Sequence, residues 1–79
     1  MALYYFDTRD DDEVITDDVG VEVADLETVK VIAAKALAEL AVDVLPGSLE
    51  RCLGIDVRDE NSHPVLTTEL TFKARLLTN

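Results

Sequence analysis

The stretch FDTRDDDEVI, residues 6–15, returns in altered form as IDVRDENSHPVL, residues 55–66. Phe6-Asp7-Thr8-Arg9-Asp10 aligns without gaps with Ile55-Asp56-Val57-Arg58-Asp59, and Val14-Ile15 aligns with Val65-Leu66 after two extra residues in the second copy. In each copy an alternating run ends in Arg-Asp, a polar turn follows, and a second apolar run begins. That order is the signature of a β-hairpin. The echo predicts two hairpins at the two ends of the chain.

Working outward, ALYYFDT (2–8) reads as the first strand, EVITD (13–17) as the second, and VGVEV (19–23) as a turn at Gly20 with a few extended residues. DLETVKVIAAKALAELAVDVL (25–45) lies between the hairpins. Asp25 is a suitable N-cap, Glu27 stands near the positive end of the helix dipole, and Pro46-Gly47 stops the helix. CLGIDVR (52–58) is a third strand and PVLTTELTFKARLL (64–77) a long fourth, which Pro64 can only begin because it donates no ladder hydrogen bond. Alternation puts Leu53, Ile55 and Val57 on one sheet face with Tyr4, Phe6 and Thr8, joined by Leu66, Leu70 and Phe72. Val29, Ile32, Ala33, Ala36, Leu37, Leu40 and Val44 make the helical stripe that covers them. The expected fold is a single α+β domain, residues 1–79: a two-layer ββαββ sandwich with one helix packed on an antiparallel four-stranded sheet.

Two sets of apolar residues are left over. Val31, Ala38, Val42 and Leu45 lie opposite the core stripe of the helix, and Leu3 and Tyr5 lie on the outer sheet face near Thr67 and Thr71. A chain of 79 residues buries only about 60% of its unfolded surface, and its one cysteine, Cys52, permits no internal disulfide. Small domains without a staple or metal often gain stability by association. We therefore expect a homodimer, with Leu3, Tyr5, Thr67 and Thr71 as the contact in preference to the helix.

The net charge of −10 is lopsided, because residues 1–25 carry −8 and residues 26–79 carry −2. Seven residues, Lys plus Arg, scattered along the chain form no patch able to displace counterions from phosphates, so nucleic acid is not an expected partner. A basic protein is. No apolar run reaches the roughly 18 residues of a membrane span, and Met1 to Asp7 lacks the basic start and apolar core of a secretory signal. With a lone thiol besides, the expected location is the cytoplasm.

YYFDTRDDDEVITDDVGVEVADLETV, the Ala-rich helix and IDVRDENSHPVLTTELTF together resemble an uncharacterised family of small bacterial proteins known only as a domain of unknown function. The resemblance rests on Tyr5-Phe6-Asp7, Arg9-Asp10, Asp17, Gly20, Asp25-Leu26, Val57-Arg58-Asp59 and Pro64-Val65. It implies a fold and no activity. The family often has glycine in its first turn, where this chain has Asp12. The order strand, strand, Asp-Leu helix start, helix, strand is also similar to HicB-type antitoxins, which implies a likeness of fold alone.

The acid-rich stretch 7–20 fails as a calcium loop. Starting at Asp10 puts Val14 fifth and Ile15 sixth, where a ligand and glycine are needed, and starting at Asp7 puts Arg9 third. It reads as a solvated turn, and no metal or other cofactor is expected. His63 and Cys52 are too far apart along a hairpin for a nucleophile and base, so no catalytic residue is assigned and the chain is not expected to be an enzyme. Arg9 and Arg58 end equivalent strands, and Arg–carboxylate forks to Asp56 or Asp7 would tie the hairpins together.

Overall fold

The structure is a computed structural model that describes residues 1–78. Strands β1 (Ala2–Asp10), β2 (Glu13–Ile15) and β3 (Val21–Val23) lead into helix α1 (Leu26–Val44). A single 3-10 turn (Leu45–Gly47) follows, then β4 (Glu50–Asp59), β5 (Pro64–Thr67) and β6 (Leu70–Lys73). The fold is α+β, with one helix over an antiparallel sheet.

The repeat sets the centre of that sheet. β1 and β4 run antiparallel from Tyr4 opposite Asp59 to Asp10 opposite Leu53. Asp7 faces Asp56 in this ladder, and these two are also equivalent in the repeat. A local two-fold axis thus passes between them and relates the two copies. β2 and β3 line the free side of β1, and β5 and β6 line the free side of β4.

The expected four strands are therefore six, because each edge strand is broken. The breaks fall at related places, where a side-chain oxygen takes over from the backbone ladder. Asp17 Oδ2 accepts the Phe6 N–H at 3.0 Å, and Thr68 Oγ1 accepts the Ile55 N–H at 2.9 Å. Phe6 and Ile55 are repeat equivalents, so one device interrupts both edges.

Helix α1 starts at Asp25, whose Oδ1 accepts the Thr28 N–H at 2.8 Å. Its end is tied by Ser48 Oγ, which donates to the Val44 carbonyl at 3.0 Å. Val29, Ala33 and Leu37 press against Leu53, Ile55 and Val57 of β4, and Val23 of β3 completes the buried core. Leu45 packs half-buried on this core and does not belong to the outward stripe of the helix. Among the described residues, no helix is long and apolar enough to cross a membrane.

The first turn takes its left-handed residue at Asp11 (φ 53°), one place before Asp12. Aspartate tolerates this conformation better than most residues. Asp11 is held there from both sides: its N–H donates to the Cys52 carbonyl at 2.8 Å, and its Oδ1 accepts the Cys52 N–H at 2.9 Å.

Leu53 is fully buried, whereas Leu77 is 88% exposed. Leu53→Ala should cost about 2–5 kcal/mol in denaturant unfolding, and Leu77→Ala less than about 0.5 kcal/mol. Equal effects of the two substitutions would contradict this core.

Candidate functional site

The outer face of the sheet carries a cross of charge around the local two-fold. Asp7 and Asp56 stand opposite each other, a repulsive pairing if left alone. Each is met by the arginine two residues beyond its counterpart. Arg9 donates through Nε to Asp56 Oδ2 at 3.1 Å and through Nη2 to Asp56 Oδ1 at 3.2 Å. Arg58 donates through Nε to Asp7 Oδ2 at 3.0 Å and through Nη2 to Asp7 Oδ1 at 3.4 Å. Both forks also reach the broken edges: Arg9 Nη2 donates to the Thr68 carbonyl at 3.2 Å, and Arg58 Nη2 to the Asp17 carbonyl at 2.7 Å. The four residues singled out from the repeat, Arg9, Arg58, Asp7 and Asp56, thus meet in two forks that join the hairpins.

What lies beneath each arginine differs. Arg58 is opposite Tyr5, and its guanidinium sits 4.4 Å from the ring centroid. Arg9 is opposite Gly54. A Cβ at residue 54 would collide with the Arg9 guanidinium and come within 2.7 Å of the Thr68 carbonyl. One copy supplies an aromatic platform and the other supplies room.

Asp17 knots the loop between β2 and β3. Its Oδ1 accepts the N–H groups of Val19 and Gly20 at 3.0 and 3.2 Å, and its own N–H donates to Asp7 Oδ1 at 2.9 Å. The backbone donor Phe6, helped by Val19, Gly20 and the charge of Arg58, holds the Asp17 carboxyl below its ordinary pKa. Asp56 is held down by Arg9 and then by the Thr67 hydroxyl. A third fork stands at the far end of the sheet, where Arg51 donates to Asp10 at 2.7 and 3.0 Å and to Ser48 Oγ at 2.8 Å. Much of the acid run 7–20 is therefore engaged with the protein's own donors. Thr68, Gly54 and the Arg51–Asp10 fork have no role assigned from the sequence, and Asp17 enters there only through the family resemblance. Aligning Thr16-Asp17 with Thr67-Thr68, as the two-residue offset of Val14-Ile15 requires, would have pointed to Asp17 and Thr68.

The other singled-out residues are spread over the molecule. Thr67 Oγ1 donates to Asp56 Oδ1 at 2.6 Å, and Thr71 is exposed opposite Cys52. Leu3 and Tyr5 are half-buried, and both flank Gly20, whose loop lies against them. His63 Nδ1 lies 3.7 Å from Asp59 Oδ2 in the second turn, while Cys52 Sγ lies 3.4 Å from Glu69 Oε2 near the opposite end of β4. On the helix, by contrast, Val31 and Val42 are 55% and 73% exposed.

Both copies of the repeat, the helix and all four residues of the cross lie within residues 3–71, which match the family model DUF6894, a domain of unknown function. The chain belongs to that family. No curated protein and no solved structure matches it. No match supports the HicB-type likeness, which stays one of element order.

Gly54→Ala should displace Arg9 from Asp56 and Thr68 and cost about 1–3 kcal/mol, the penalty for stranding part-buried hydrogen-bonding groups. Thermal melts of Gly54→Ala beside Arg9→Ala would test the shared cause, since the double variant should cost little more than either single one.

Acid should unfold the domain. The folded carboxyls of Asp17 and Asp56 release their protons at lower pH than unfolded aspartate, which titrates near about 3.9. Stability is then full above that value and drains away as pH falls through it towards the folded pKa values, because the unfolded chain takes up protons first. Melting temperatures measured from pH 7 to 3 should drop most steeply below about pH 4, and Asp17→Asn should lose part of that slope.

Proposed function

We propose that the chain is a small protein-interaction module of the bacterial cytoplasm, working as a homodimer and without catalysis of its own. The observation that carries the reading is the outward face of α1. Val31 and Val42 are more than half exposed, and Ala34 and Ala38 lie between them on the same side. A row of this kind on a small chain marks a partner surface more often than chance exposure does. The core behind it is slight, with seven buried apolar side chains among the described residues, so covering a second apolar face would add materially to stability.

The helix is a better contact than the sheet face favoured by the sequence. Leu3 and Tyr5 already touch the Gly20 loop and Arg58, and the centre of that face is charged. Light scattering at about 100 μM, far above a micromolar dissociation constant, should find dimers. Val42→Glu should give monomers and Tyr5→Glu should leave the dimer intact. A monomeric wild type would end the reading.

The tip of the first hairpin supports a second one, an acidic subunit that neutralises a small basic protein. Asp12 and Glu13 are exposed there, Asp18 is exposed in the loop between β2 and β3, and none of the three pairs with a base among the described residues. Binding of a lysine-rich peptide that weakens with salt and with Asp12→Asn/Glu13→Gln would favour it.

A further inference from the structure

We infer that two copies of this chain pair the outward faces of their α1 helices antiparallel, about a two-fold axis level with residues 36–37, with Lys35 of each copy against Glu39 of the other. The inference rests on the homodimer reading and gives it a geometry. Val31, Lys35, Ala38 and Val42 recur at spacings of four, three and four, so they form one line along the outward face of the helix. Antiparallel helices related by a two-fold bring positions i and j together when their numbers add to a constant. A constant near 73–74 sets Val31 opposite Val42 and Lys35 beside Ala38 and Glu39 of the other copy. The two valines then meet at the two ends, and in the middle Lys35 crosses Ala38, whose small side chain leaves room for the lysine stem.

Charge supports this register and disfavours its parallel alternative. The arginines of the sheet, Arg9, Arg51 and Arg58, all have carboxylate partners within the chain. Lys73 lies 3.7 Å from Glu50. Lys35 and Glu39 are exposed and pair with no other side chain among the described residues, although Lys35 stands in the outward line and Glu39 beside it. Their order, lysine before glutamate four residues on, is the poorer one for pairing within a helix. An antiparallel two-fold keeps each residue on its own flank, so Lys35 meets Glu39 of the other copy, twice per dimer. A parallel two-fold would carry Lys35 and Glu39 to the opposite flank of the partner helix, where neither meets the other, and the pairing would be lost. The acid-rich hairpin 10–18 lies off this face, so two chains of charge −10 meet where each presents a lysine.

Charge reversal tests the register. Sedimentation equilibrium should show Lys35→Glu and Glu39→Lys each weakening the dimer by about tenfold, since each turns two attractions into two repulsions. The second case is decisive. Glu39→Lys moves the net charge of the chain from −10 to −8, so overall repulsion alone would tighten the dimer. The double variant Lys35→Glu/Glu39→Lys should return to within about threefold of wild type. A mixture of the two single variants should form a heterodimer tighter than either homodimer. Circular dichroism confirming unchanged helix content would keep misfolding apart from lost pairing. A dimeric wild type whose affinity ignores these reversals would overturn the register and leave the homodimer reading standing. A monomeric wild type would overturn both.

Discussion

Two aspartates facing each other across the central ladder are the constraint around which the fold is arranged. Asp7 and Asp56 must be neighbours because the repeat pairs with itself, and uncompensated they would push β1 and β4 apart. Arg9 and Arg58 convert the repulsion into two forks. A slip of one residue would turn Leu53, Ile55 and Val57 outward and separate every arginine from its carboxylate. The hydrophobic pattern and the charge cross therefore select the same register by independent means. Agreement of that kind is what gives a small sheet a single native pairing.

The same arginines explain the broken edges. A continuous edge strand would offer its carbonyls to the ladder or to a passing chain. Here the Asp17 and Thr68 carbonyls accept from Arg58 and Arg9, and the Asp17 and Thr68 side chains stand in for backbone acceptors to Phe6 and Ile55. Each edge is left as two short segments, of three or four residues each. Short, interrupted edges are poor templates for edge-to-edge association. The cost is a dependence on ionised carboxylates, and this is why acid should undo the domain.

The legible part of the fold is its periodic part. The stripe from Val29 to Val44 and the alternation through Leu53, Ile55 and Val57 repeat often enough to be read without coordinates, and Asp25 with Pro46 bounds the helix chemically. The edge breaks are not periodic. Each depends on one side-chain oxygen reaching one N–H, and Asp17 looks in the sequence like any other acid of a wet turn. The two Arg-Asp steps are visible because the chain states them twice. The Arg51–Asp10 fork is stated once, and its third member, Ser48, reaches it only through the way the helix ends. The position needing no side chain, Gly54, could not be read before Arg9 was seen lying over it.

The distribution of partners also accounts for which face remains open. The outer sheet face spends its charges internally: the two aspartates and two arginines nearest the local two-fold face each other, Thr67 adds a hydrogen bond to Asp56, and Tyr5 lies under a guanidinium. Covering such a face with protein would desolvate ion pairs that water now helps to support, and a buried pair regains that cost only with good geometry. The outward face of α1 has no such commitments. In the proposed dimer its exposed valines would leave water at no polar cost, and Lys35 and Glu39 would form an ion pair that stays solvated and steers orientation. With the sheet face closed by its own charges and the helix open on one side, the proposed dimer uses the face whose cover costs least.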